Sequence, residues 1–221
     1  MKKNLLPWQL LTLLALALPA LYLLWAWPQV PAQVPMHYGI DGQANRYDSR
    51  NGLWLLTLAL PVGVALLFAA LPHLDPKRRL DADSVNFQKL RLAVVALLGV
   101  INSYTLYLTL HPGTGPGREL AVLLGVFFVF LGNYLTTVQP NYFVGIRTPW
   151  TLESPGVWAR THRLGGMVFC VAGLLTTGLA LVLPLAWVYP ALLALVLGTA
   201  LFCYAYSYVA FRQERQASKA A

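Results

Sequence analysis

The sequence predicts an all-α integral membrane protein with six transmembrane helices and both termini cytoplasmic. Three observations predict it. Only 11% of the 221 residues are charged, less than half the roughly 25% of a soluble domain. Six stretches, 5–27, 53–72, 92–110, 120–139, 165–186 and 188–210, contain no Asp, Glu, Lys, Arg or His. Of the 16 Lys and Arg, 13 lie in alternate tails and loops and 3 in the others, the asymmetry that places the basic side in the cytoplasm. The same composition excludes a disordered chain, a collagen-like chain and a disulfide-stapled mini-domain.

Each stretch is 19 to 23 residues long. A hydrocarbon core of about 30 Å takes about 20 residues of helix, whereas a barrel strand would be shorter and would alternate. The first stretch follows Lys2 and Lys3, as a signal peptide would. It continues through Tyr22, Trp25 and Trp27, beyond the usual signal core, and those rings suit the interfacial belt of a retained helix. Pro19 and Pro61 are tolerated as kinks in spans one and two. Asn102-Ser103-Tyr104 in span three, with Asn133-Tyr134 and Thr136-Thr137 in span four, suit hydrogen bonds between helices. From Leu164 to Phe211 the chain is uncharged. One helix of that length would reach roughly 70 Å, so it folds back, with Pro184 to Pro190 the place for a hairpin. Cys170 and Cys203 fall inside spans and read as small packing residues.

The net charge of +8 is therefore mainly a topology signal with attraction to anionic lipid heads, densest at Lys77-Arg78-Arg79. Direct nucleic-acid binding is not expected. The two longest connections carry most of the remaining chemistry. The outer loop, 28–52, begins with Pro28, Pro31 and Pro35, which favour an extended polyproline-like approach. Ile40-Asp41-Gly42-Gln43 reads as a turn, and His37, Asp41, Arg46, Asp48 and Arg50 supply polar groups. The alternative is a lid whose charges pair with one another and with headgroups.

The inner loop, 140–164, contains Ser154-Pro155, a capping hydroxyl followed by proline at the first helical position. From there Trp158 and His162 share a helix face, Arg163 reaches headgroup level, and Gly165-Gly166 allows close packing or a kink. Arg147 has two expected partners, Glu153 as a salt bridge or Trp150 as a cation–π face. The alternative is an amphipathic elbow on the membrane surface.

No catalytic motif appears, and no enzyme activity or cofactor is expected. The topology puts His37 and His111 at one face and His73 and His162 at the other, about 30 Å apart, which excludes a four-histidine metal site and leaves a two-histidine site on either face open. No HExxH, G-x-S-x-G, phosphate loop or dinucleotide fingerprint is present. A transporter or permeability pathway for a small solute or ion is the alternative function, although none of the six uncharged stretches offers an ionisable group for it.

The inner loop carries two blocks: Pro140, Asn141, Gly145, Ile146, Arg147, Thr148, Pro149, Trp150, Thr151 and Leu152 form the first, and Val157, Trp158, Thr161, His162, Arg163, Gly165 and Gly166 the second. These blocks resemble the hallmark of the SdpI family of membrane proteins. The outer loop is similar to the small histidine-containing domain that often begins such proteins, through Pro35, His37, Tyr38, Gly42, Tyr47, Ser49 and Arg50. The chain departs at Pro155-Gly156, where acidic residues are common, which leaves Glu153 as the acid at the helix start.

The resemblance implies a multi-pass cell-membrane protein giving immunity to a secreted, membrane-active toxin peptide and signalling by holding a soluble transcriptional repressor. On that reading Pro35, His37, Tyr38, Asp41, Gly42, Arg46, Tyr47 and Arg50 would meet the toxin at the outer face. Asn141, Gly145, Arg147, Thr148, Trp150, Trp158, His162 and Arg163 would meet the cytoplasmic partner. The chain divides into an N-terminal two-helix unit, 1–75, and an SdpI-like four-helix unit, 76–221.

Overall fold

The computed structural model describes residues 5–39, 43–76 and 80–220. The expected turn at Asp41 and Gly42 and the basic triplet Lys77-Arg78-Arg79 lie outside the described residues. The elements are α1 (Leu6–Ala26), β1 (Gln33–Tyr38), β2 (Ala44–Ser49), α2 (Gly52–Leu74), α3 (Val85–Leu110), α4 (Arg118–Leu135), α5 (Pro149–Glu153), α6 (Pro155–Val182) and α7 (Leu185–Ala220). Six of the helices are long and apolar enough to cross a membrane, so the helical membrane fold is as expected. The helices outrun the uncharged windows: α3 starts at Val85 and α6 at Pro155. The fold-back falls at Leu183, which is extended, with α7 starting two residues later.

One element differs from expectation. The outer loop is a β-hairpin rather than a polyproline-like approach, with β1 and β2 antiparallel and Pro35 opposite Tyr47. Pro35 has no amide to donate, but a strand in a two-stranded ribbon has one free side. The register is irregular on both sides of His37.

Close packing divides the chain into two compact units. The first comprises residues 1–70 and 81–120, the second 71–80 and 121–221. The packing therefore groups α3 with α1 and most of α2.

In the first unit the apolar core is formed by Leu23, Ala26, Val30, Val34, Leu53 and Leu106. Val34 of β1 is fully buried there, which seats the hairpin on the helix ends. Within α2, residues Leu55–Ala59 form a π turn, and the Leu60 amide donates to Leu55 rather than Leu56. The Leu56 carbonyl would next accept from residue 61, which is proline and has no N–H. The Asn102 side-chain amide of α3 donates to that carbonyl at 2.6 Å. This is the interhelical role expected of Asn102, here meeting a backbone need that Pro61 creates.

In the second unit α4 and α6 run antiparallel with glycines at their crossing. A Cβ on Gly166 would lie 2.6 Å from the Gly132 carbonyl oxygen, and one on Gly125 would lie 2.8 Å from that of Gly173. Such backbone proximity suits helices that associate in lipid by van der Waals contact. Cys170 packs in the same seam, with its thiol donating to the Val129 carbonyl, and Cys203 is buried; both are unpaired.

Candidate functional site

Two polar platforms stand out, one in each unit. The hairpin platform is open. His37 is exposed, and its Nδ1–H donates to Asn45 Oδ1 at 2.6 Å. Arg46, opposite His37 in the register, is exposed as well. Arg50 is partly held: its guanidinium lies 4.8 Å from the Trp27 ring centre and donates to the Val30 carbonyl. Pro35, Tyr38 and Tyr47 line a cavity of about 220 Å³ with Pro112, Gly113 and Thr114. Burial, followed by the neighbouring phenols of Tyr47 and Tyr104, pushes the Tyr38 hydroxyl above its ordinary pKa, so it remains a neutral donor at physiological pH.

The second platform is knotted by hydrogen bonds within the inner loop, 140–164, and to Val138 and Gln139 just before it. Asn141 is fully buried. Its amide donates to the Gln139 and Val144 carbonyls at 2.8 and 2.9 Å, and its Oδ1 accepts from the Phe143 and Val144 amides, both at 2.7 Å. Thr148 caps α5, accepting from the Thr151 amide while its own amide donates to Thr151 Oγ1. The Thr151 hydroxyl in turn donates to the Ile146 carbonyl at 2.8 Å.

His162 closes the knot. It is 2% exposed, and Trp158, one turn earlier, stacks on it with ring centres 3.9 Å apart. The Ile146 amide donates to His162 Nε2 at 2.9 Å. That nitrogen is therefore unprotonated, and Nδ1–H donates to the Trp158 carbonyl. Trp158 anchors the other side by donating from Nε1 to the Val138 carbonyl at 2.9 Å. Gly145 passes beside this ring pair with φ of +116°, a conformation that a side chain would disfavour.

The eight expected residues of this loop thus divide by position. Asn141, Thr148, Trp158 and His162 are buried and shape the loop, Gly145 threads between them, and Arg147 and Arg163 are exposed. Neither expected partner holds Arg147; its guanidinium donates to the Tyr142 carbonyl at 2.6 Å. Trp150 instead packs against Tyr204 and Tyr208 of α7, with centres 5.1 and 4.9 Å apart.

The start of α6 holds a feature that local sequence did not indicate. Ser154 caps it as expected, accepting from the Gly156 and Val157 amides. Its hydroxyl also donates to Glu214 of α7. Arg160 pairs with the other Glu214 oxygen at 2.7 Å. The acid near the positive end of α6 therefore comes from α7 in addition to Glu153. Gly156 makes room for it, since a Cβ there would meet the Glu214 carboxylate. Asp75 is a second missed group: it is 2% exposed and accepts from the Leu80 and Tyr142 amides. No spacing rule could find either acid, because the partners are 60 and 67 residues apart. Among the described residues no group of three or more His, Cys, Asp or Glu could hold a metal.

Six apolar helices and two loop-borne polar platforms define a multi-pass helical membrane protein. Residues 137–207 match the model of the SdpI/YfhL protein family, and residues 14–60 match that of a domain of unknown function, DUF1648. The chain is 28% identical over 110 residues to the Immunity protein SdpI of Bacillus subtilis (strain 168), an alignment covering 48% of this chain and 53% of the relative. The chain thus spans about half the length of the curated relative it matches. Over residues 137–207 the chain is therefore similar to the SdpI/YfhL family, and the likeness covers part of its length. No solved structure matches the chain.

Proposed function

We propose that this is a membrane immunity and signalling protein of the cell membrane. It confers resistance to a membrane-active toxin peptide met at the hairpin, and it holds a cytoplasmic repressor at the 140–164 loop. The alternation of uncharged stretches and the 13-to-3 basic asymmetry of the sequence support this orientation, with the hairpin outside and the inner loop in the cytoplasm. The observation that carries the reading is the internal satisfaction of the family-matched loop. His162 has both ring nitrogens engaged and Asn141 makes four bonds, while Arg147 and Arg163 stay exposed. A loop built this way offers a rigid recognition surface, with its histidine committed to structure. The name of the Bacillus relative supports the immunity role.

The test is survival of cells challenged with a membrane-active peptide, with and without expression of the protein. Expression is expected to raise survival, and His37→Ala and Arg147→Ala are expected to lower it again at equal protein levels. Survival that is the same in every strain removes the immunity reading.

A further inference from the structure

The tail of α7 carries a charge arrangement that the two platforms do not use. At 1.5 Å per residue its 36 residues span about 54 Å, well beyond a hydrocarbon core of about 30 Å. Trp187 is 65% exposed near its first turn and suits the interfacial belt. About 20 residues onward, the helix leaves the hydrocarbon near Tyr208. Arg212, Arg215 and Lys219 follow within the next three turns, and all three are exposed.

Tyr208, Arg212, Arg215 and Lys219 recur at helical spacing and line one surface depression with Phe211 and Gln216. The Arg212 guanidinium lies 5.9 Å from the Tyr208 ring centre, and that of Arg215 lies 5.5 Å from the Phe211 ring centre. The acid on this stretch, Glu214, is turned away and engaged by Arg160 and Ser154. Among the described residues none of the three cations has a carboxylate partner.

We propose that this stripe is a binding site for the phosphate of an anionic phospholipid headgroup. Three cations without acids suit a phosphate, and two rings beneath them suit the boundary between acyl chains and headgroups. The depth favours a lipid over a soluble acidic partner, because Arg212 and Arg215 fall where long basic side chains reach headgroups. The site also adjoins the 140–164 loop, since Tyr208 touches Trp150.

The experiment compares phosphatidylglycerol and phosphatidylcholine binding to the full-length protein by native mass spectrometry from detergent. Wild type is expected to retain phosphatidylglycerol preferentially. Arg212→Gln/Arg215→Gln/Lys219→Gln is expected to weaken it about 100-fold, and each single change about fivefold. Arg212→Lys/Arg215→Lys is expected to keep the preference, which separates lost charge from lost folding; Arg118→Gln is expected to change nothing. Equal retention by wild type and triple variant would overturn the proposal. So would competition by millimolar inorganic phosphate, which marks a free-phosphate site, or by polyglutamate, which marks a protein-docking surface.

Discussion

Gly145 shows how much of the loop depends on one missing side chain. Its φ of +116° costs any other residue about 1–2 kcal/mol, and a Cβ there would meet the His162 ring. Gly145→Ala must also displace the ring that accepts the Ile146 amide, leaving a donor unsatisfied at about 1–3 kcal/mol. The expected loss is about 2–5 kcal/mol in denaturant unfolding in detergent, with the near-ultraviolet dichroism of Trp158 altered. An unchanged midpoint would mean that the ring pair yields freely. The Trp158–His162 stack and the Ser154 cap were readable from spacing, because both follow from local helix geometry. The partner of Arg147 was not. Its guanidinium is used on a backbone carbonyl that the loop happens to present, and sequence does not reveal where a carbonyl will point.

At the scale of elements, charge-free windows made the spans legible, because lipid penalises every ionisable group along a helix. The hairpin was hidden. Its second strand, Ala44–Ser49, is mostly exposed and lacks apolar alternation, and prolines in and before the first masked its pairing. The π turn in α2 was also hidden, although Pro61 was visible. Asn102→Leu is expected to leave the Leu56 carbonyl unpartnered and to cost about 0.6–1.7 kcal/mol. Asn102→Leu/Pro61→Ala tests the cause. With the residue-61 amide restored, the carbonyl has a backbone donor and the penalty should shrink. A full penalty in that pair would show that Asn102 acts elsewhere.

For the whole molecule, the pattern of exposure follows from a lipid solvent. Leu13, Leu18, Leu174 and Leu201 are each at least 60% exposed, while Asn102, Asn141, Thr161 and Thr176 are buried. The orientation is testable in a background with Cys170→Ala and Cys203→Ala. Ser49→Cys should react with an impermeant maleimide on intact cells, and Ser218→Cys only after permeabilisation; labelling of both from one side overturns the orientation. The Glu214 clamp has a consequence in time. Ser154 is added to the chain sixty residues before its acceptor, an interval of about 3–12 s at ordinary elongation rates of about 5–20 residues per second. During that interval the fifth crossing begins without its distant carboxylate. The loop takes its final form only when the last helix has emerged, so a premature stop after Ala210 would leave that loop unfinished far upstream of the break.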